Sequence, residues 1–411
     1  MTGNLKRAIA VSLLIFSSVV VAVAQSGSVR PRRVNPPQSS SAQTSDAGNS
    51  SSGDAGPRIG STNSRPSSNI NTSGSSNSGG DTSRAFSLFQ QKQYAQAARE
   101  AKRVAANDPN NAEAWKIAGF SEMNLKQYAE ASIDLRRALE LQRKDGKEDT
   151  NTADALAQAL VFTEKFEEAL PLLVAATTRK GAQPDAAMLY YRGLSEYQTN
   201  KKADAERSFS AAVKANPKDA RALYYLGQIA FERNDMDAAI AALNRATLND
   251  AQIASAWQLL TIAYLRRAGA ATVKARGDAD YLNAVRAGES LVRARSDAAT
   301  NTLLGQALIG AGQLPRAATV LERAAADKDA KGPTFYLLGF AYSRAKNYPK
   351  AIAALERAAQ LAPDDANIYR ELGYAYEISK QYPKALEAYQ KGAQLAPDDE
   401  YFKESVARLK Q

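Results

Sequence analysis

Residues 332–365 and 366–399 are one passage written twice: GPTFYLLGFAYSRAKNYPKAIAALERAAQLAPDD, then ANIYRELGYAYEISKQYPKALEAYQKGAQLAPDD. At an offset of 34, Phe335 falls on Tyr369, Leu338 and Gly339 on Leu372 and Gly373, and Tyr342 on Tyr376. Tyr348, Ala351, Leu355 and Pro363 fall on Tyr382, Ala385, Tyr389 and Pro397. A period of this length means stacked units, because one such unit cannot bury its apolar face alone and shares it with the next. Phe335, Leu338 and Tyr342 are spaced as on one helix face, and Ile352, Leu355, Ala358 and Ala359 as on a second. The polar stretch 343–347 separates them, so each unit reads as helix, turn, helix. Pro349 and Pro383 stand in the first turn of the second helix, where a missing N–H breaks no hydrogen bond. Gly339 and Gly373 recur inside the first helix, at about 1 kcal/mol each relative to Ala. A cost repeated at one phase points to a neighbouring helix that needs the room.

With Ala351 and Ala385 as the ruler, the chain carries Ala97, Ala131, Ala169, Ala205, Ala239, Ala284 and Ala317 at the same phase, in steps of 34, 38, 36, 34, 45, 33, 34 and 34. The Gly phase recurs at Gly119, Gly193, Gly227 and Gly305, and is taken by Ala85, Ala157 and Thr261 in the first, third and sixth units. Pro closes units at Pro109 and Pro217 as it does at Pro363 and Pro397. The order aromatic, Leu-Gly, Tyr, Ala, aromatic or Leu, small residue, Pro resembles the tetratricopeptide repeat over about residues 78–399. That resemblance implies an all-α, right-handed α-solenoid of about nine helix-turn-helix repeats, spanning 83–399, with residues 400–411 as a C-terminal capping helix. Phe402, Val406 and Leu409 sit at helical spacing in that last stretch, as a cover for the final repeat requires.

Departures from the pattern are equally specific. The opening helix, 84–91, is short, and residues 143–149 and 177–183 read as longer turns between units. Pro171 falls inside a second helix, where it removes a hydrogen bond and favours a bend. The sixth unit gains about a dozen residues, 268–280, between its helices. Arg266, Arg267, Lys274, Arg276, Arg286, Arg293 and Arg295 cluster there, diluted by Asp278, Asp280, Glu289 and Asp297. They read as a solvated helix extension, with a docking patch for an acidic partner as the alternative.

Ahead of the repeats, Lys6 and Arg7 precede an apolar run, 8–24, that ends Ala22-Val23-Ala24. This is the form of a secretory signal peptide cut before Gln25, covering residues 1–24. The alternative is an uncleaved anchor, although the run is at the lower edge of the spanning length. Residues 25–82 hold no Phe, Trp, Tyr or Leu until the repeats begin, only Ser, Asn, Gly and Pro with isolated aliphatics. Such a stretch buries too little to offset its ordering entropy and reads as a disordered linker. The expected location is therefore periplasmic or extracellular, with no membrane span left after cleavage.

Chemistry is bounded by two absences: the chain has 0 His and 0 Cys. Imidazole triads, thiolate nucleophiles, disulfides and His/Cys zinc sites are excluded. No phosphate loop or nucleophile elbow is present, so no catalytic residue, metal or cofactor is assigned, and no stretch remains for a catalytic domain. The formal charge is +10, but the first 82 residues hold seven basic against three acidic side chains, which leaves the repeats only mildly basic. That is weak ground for nucleic acid, which wants Lys and Arg gathered on one face.

The resemblance implies a concave groove lined by the fifth, ninth, twelfth and thirteenth positions of each first helix. These positions include Lys116, Phe120, Tyr190, Tyr197, Tyr224, Gln228, Arg266, Gln306, Tyr336, Phe340, Arg344, Arg370 and Tyr374. Flat amphipathic rings, two-way amides and guanidinium forks are the side chains of protein recognition. Each aromatic among them either lines the groove or packs between units. The family's carboxylate clamp has Lys116 and Asn124 here, but the third unit offers Asn151, Asp154 and Gln158 in place of its basic partners, so that specificity is not expected. The reading is an exported scaffold that binds a peptide or partner segment. Binding of an anionic envelope polymer, or service as the accessory arm of an envelope enzyme complex, are the alternatives. N-terminal sequencing of the protein recovered from its native cells should begin at Gln25; a chain still carrying residues 2–24 would leave the anchor reading instead.

Overall fold

The structure, a computed structural model, describes residues 81–179, 181 and 185–410; the leader and nearly all of the linker lie outside the described residues. The described residues form 19 helices and no strand. They are α1 (Ser83–Gln90), α2 (Tyr94–Asn107), α3 (Ala112–Leu125), α4 (Tyr128–Lys144), α5 (Thr150–Phe162), α6 (Phe166–Thr177), α7 (Ala186–Gln198), α8 (Lys202–Ala215), α9 (Ala220–Glu232) and α10 (Met236–Asn249). Then follow α11 (Ala254–Ala270), α12 (Lys274–Ala294), α13 (Ala298–Gly310), α14 (Leu314–Ala325), α15 (Gly332–Arg344), α16 (Tyr348–Leu361), α17 (Ala366–Ile378), α18 (Tyr382–Leu395) and α19 (Glu400–Leu409). Successive pairs make nine antiparallel hairpins, an all-α solenoid of helical repeats. Two compact units divide it, one up to Ala176 and one from Thr177 onward.

Each hairpin closes by one size match. All nine ruler alanines are 0% exposed. Four residues after the ruler alanine, the second helix projects Leu135, Phe209, Leu243, Leu321, Leu355 or Tyr389 at the Gly of its own first helix. A Cβ on Gly119, Gly305 or Gly339 would lie 2.5 Å from the facing Leu, and one on Gly373 2.5 Å from the Tyr389 ring. The glycine is therefore a notch for a side chain, paid back by burial of that side chain. In the first and sixth repeats the notch is filled and the facing residue shrinks, whereas the third keeps Leu173 opposite Ala157, both fully buried. Ala85 stands across from Ala101 in the first repeat, and Thr261 in the sixth corresponds to Gly288, all four buried.

The turn inside the hairpin repeats as strictly. Lys92, Lys126, Glu164, Asn200, Asn234, Gly312, Lys346 and Lys380 occupy one phase and share the left-handed conformation, φ 59° to 74°. The next N–H reaches back across each, as Asn347 N does to Tyr342 O (2.9 Å) and Gln127 N to Glu122 O (2.9 Å). This is the Schellman closure of a helix. Six of the nine first helices, and α19, are opened by acid or amide caps: Asn111, Asp149, Asp185, Asp219, Asp297, Asp365 and, for α19, Asp399 each accept a first-turn N–H. The Asp-Asp after Pro363 and Pro397 is thus the start of the next helix.

The sixth repeat alone lacks the left-handed turn. Its added residues lengthen α11 to 17 residues and α12 to 21. Arg267 locks the extension: its guanidinium bonds both oxygens of buried Asp280 (2.8 and 2.6 Å) and Asp237 of the preceding repeat (2.5 Å). Arg276 also meets Asp237 (3.1 Å), Lys274 pairs with Asp278, and Arg295 with Asp297 (3.0 Å). The basic cluster is chiefly a neutralised helix extension. The helix of the third repeat runs on through Pro171. At the far end α19 buries Phe402 completely against the last hairpin, with Val406 and Leu409 beside it.

One core feature carries an electrostatic cost. In the second repeat Glu122 and Asp134 are both buried and share one Lys102, whose Nζ is 2.5 Å from Glu122 and 3.4 Å from Asp134. Burial first, then the neighbouring carboxylate, push the Glu122 pKa up to about 7, against the pull of Lys102. Burial raises that of Asp134 too. At the same phases the fourth repeat has Glu196 and Ser208, and there the serine hydroxyl donates to the carboxylate (2.6 Å).

Two outcomes follow from these contacts. Gly339→Ala should cost about 1–3 kcal/mol by overpacking Leu355. In hydrogen exchange the loss should be confined to α15, α16 and their neighbours, since repeats contact only their neighbours. The acid pair predicts a pH dependence. The native state holds the Glu122 proton to higher pH than the unfolded chain does, so the first unit is at its most stable below the unfolded carboxylate pKa, near 4.3, and loses stability as pH rises from there through 7, on the order of 3–4 kcal/mol. Asp134→Ser should reduce that loss, leaving the part due to burial, and stabilise the unit at pH 8 but hardly at pH 4. Urea unfolding read by Trp115 fluorescence in a Trp257→Phe background measures both.

Candidate functional face

The first helices from α7 to α17 carry the expected lining positions within the second compact unit, and their side chains fall into three groups. Tyr190, Tyr336 and Phe340 are buried, 2%, 6% and 7% exposed. Tyr190 is enclosed by Tyr191 (ring centroids 5.6 Å), Phe209 (5.9 Å) and Tyr225 (6.2 Å), with the Arg221 guanidinium 4.3 Å over its ring. Burial raises its pKa well above the ordinary tyrosine value. These three rings pack between repeats.

The second group is tied into polar contacts that cross from one repeat to the next. Tyr197 donates its hydroxyl to Glu232, and Gln228 Nε2 donates to the Tyr197 oxygen (2.7 Å) and to Glu232 Oε1 (3.3 Å). Lys202 holds the other Glu232 oxygen at 2.8 Å. Arg344 bonds Glu371 of the next repeat (2.9 Å) and lies over Phe340 (4.4 Å) and Tyr374 (5.6 Å). Burial lifts the Glu371 pKa above the ordinary carboxylate value, against Arg344. Arg370 pairs with Asp399 and sits over Tyr401 and Phe402 of the cap at 5.2 and 5.3 Å. These contacts set the spacing of repeats and neutralise most of the positive charge on the face.

The third group is half-exposed as whole side chains. Tyr224 meets Tyr225 edge-on at 5.2 Å, and Tyr374 stands beside Arg344. Gln306 is half-buried with no side-chain hydrogen bond among the described residues, and Arg266 lies over Phe231 at 4.2 Å. Tyr224, Arg266, Gln306 and Tyr374 come from the fifth to the ninth repeat, one per first helix except for the eighth. They are what this face offers to another molecule: rings, an amide and a guanidinium.

Lys116 and Phe120 belong to the first compact unit. Lys116 Nζ lies 3.2 Å from Asp149 and 3.4 Å from Glu113, and half-buried Phe120 packs against the cluster of Phe89 and Ile117. Sequence reasoning passed over Glu232 and Glu371, the acids that answer Lys202 and Arg344. The signal was present as a carboxylate roughly a repeat away in sequence, Glu371 from Arg344 and Glu232 from Lys202. Among the described residues no group of three or more acidic, His or Cys side chains is placed to hold a metal ion, and no helix is long and apolar enough to cross a membrane.

Models of the tetratricopeptide repeat match residues 83–146, 155–205 and 192–256, and a further one residues 338–408. No curated protein sequence matches the chain. Among solved structures, YrrB, described as a tetratricopeptide-repeat protein with an unusual peptide-binding site, is 19% identical at a TM-score of 0.41, covering 49% of this chain and 98% of its own. A tetratricopeptide-repeat protein of Parabacteroides merdae is 15% identical at 0.40, covering 64% and 98%, and MamA of Desulfovibrio magneticus RS-1 is 23% identical at 0.38, covering 44% and 96%. With repeat models over more than half of its length and nine helix hairpins in the matching phase, the chain belongs to the tetratricopeptide-repeat family.

Proposed function

We propose that this protein is an exported interaction scaffold that holds an extended segment of a protein partner along the first helices of its second compact unit. Members of its family are protein-interaction scaffolds, and that much of the function follows from the fold. The observation that carries the finer reading is the succession of half-exposed Tyr224, Arg266, Gln306 and Tyr374 at lining phases of neighbouring repeats. Such residues give large contact area at small entropic cost together with two-way hydrogen bonding. A protein partner is favoured over nucleic acid or wall glycan because most arginines and lysines near this face already have carboxylate partners. Few counterions would be released by a polyanion, so little affinity would come from it. Export rests on the basic, apolar and Ala-x-Ala pattern of residues 6–24. The activity is binding, with no cofactor.

Placement of a photoreactive benzoylphenylalanine separates this face from the rest of the surface. Installed at Gln306 it should crosslink to a discrete partner in native cells; installed at Leu248, 85% exposed on a second helix, it should not. Equal labelling from both positions, or labelling from Leu248 alone, would put binding elsewhere. Tyr224, Gln306 and Tyr374 changed together to Ala should abolish capture of that partner and leave far-UV circular dichroism unchanged. The buried Tyr190 and Tyr336 are unsuited to this test, because their loss would cost stability directly.

A further inference from the structure

Two adjacent arginines in the sixth repeat have opposite surroundings. Arg267 is held by two carboxylates. Arg266 has no ion-pair partner among the described residues, and its Nε–H, closed off from solvent, has no acceptor. Desolvation lowers its pKa from the ordinary arginine value with no opposing charge to restore it. Its one aromatic contact is Phe231 of the preceding repeat, 4.2 Å below the guanidinium. That stacking holds the fork in a fixed plane, which is how Arg is prepared to receive a carboxylate.

The repeat register shows what is missing. Arg344 occupies the same thirteenth place two repeats later, and its acceptor is Glu371, at the sixth place of the following repeat. In the repeat that follows Arg266 the sixth place is Leu303, which is apolar and 8% exposed. One repeat before, the thirteenth place is Glu232, and both of its oxygens are engaged by Tyr197, Gln228 and Lys202. A half-buried cation without its carboxylate is costly to keep, and a carboxylate from outside would make good the deficit.

We propose that Arg266 is a carboxylate-recognition point that receives one internal Asp or Glu side chain of the bound protein segment, an assignment that rests on the interaction-scaffold reading above. An internal side chain is specified because Arg266 has the fourth and fifth repeats before it and the seventh to ninth after it in the same compact unit, so a segment lying along the face passes Arg266 in its middle. Sequence preference in the partner then reduces at this point to one acidic residue, flanked by residues that meet Tyr224 on one side and Gln306 on the other.

The arginine Nε–H resonances of the full chain, at low salt, provide the test. Arg266→Lys identifies the Arg266 signal by its disappearance. The probe is a blocked nine-residue alanine/serine peptide with one central glutamate, run against the same peptide with glutamine and against polygalacturonate. The glutamate peptide should shift the Arg266 signal saturably and the glutamine peptide should leave it in place. No shift with either peptide, equal shifts with both, or a shift with the polyuronate alone overturns the proposal, the last in favour of a glycan. In cells, Arg266→Gln should weaken the crosslink from position 306 about tenfold or more, the size of one charge-assisted hydrogen bond. An undiminished crosslink in that variant overturns the carboxylate point and leaves the scaffold standing; absence of the crosslink in the unaltered protein overturns the scaffold reading itself.

Discussion

The hairpin notch is the contact on which the rest of the structure depends. A missing Cβ at the eighth position of the first helix lets a Leu, Phe or Tyr of the second helix sit against bare backbone, and the ruler alanine keeps the two axes close enough for that to happen. Neither residue is favourable alone: glycine weakens a helix and alanine buries little. Together they fix the distance between helices, and through it the angle at which each hairpin meets the next. The first and sixth repeats show that size is conserved across the pair, with the bulk moved from one side to the other.

Polar contacts then set the phase of one repeat against its neighbour. Tyr197 with Glu232, Arg344 with Glu371 and Arg370 with Asp399 each join consecutive units, and each involves a side chain on the face that other molecules meet. The same residues therefore hold the array together and decide how much of the face is left for binding. A formal charge of +10 is a poor guide to this surface, because its cations are largely answered locally. What is left for a partner is shape, ring faces, an amide and the unanswered charge at Arg266.

Much of this was legible in the residues. The nine alanines, the glycine phase and the proline phase recur in register, and a hairpin is a local object, so its helices and turns follow from patterns within 34 residues. The left-handed turn residue was not legible, since Lys, Glu and Asn hold that conformation where glycine would have announced it. The charge cluster of the sixth repeat was readable in composition but not in outcome: Asp237, which neutralises two of its arginines, belongs to the repeat before.

Tyr190 and Tyr224 show where local pattern stops. Both stand at the fifth place of a first helix, and the sequence by itself determines the fold class, the repeat count and which positions face the same way. Tyr190 is sealed because the following repeat brings Arg221 and Tyr225 over it, whereas Tyr224 keeps a half-exposed ring. Arg344 finds Glu371 and Arg266 finds Leu303 for the same reason. Helical periodicity assigns a side chain to a face; whether that face is packed, neutralised or open is set by residues a repeat away, and only the stacked structure brings those residues into contact.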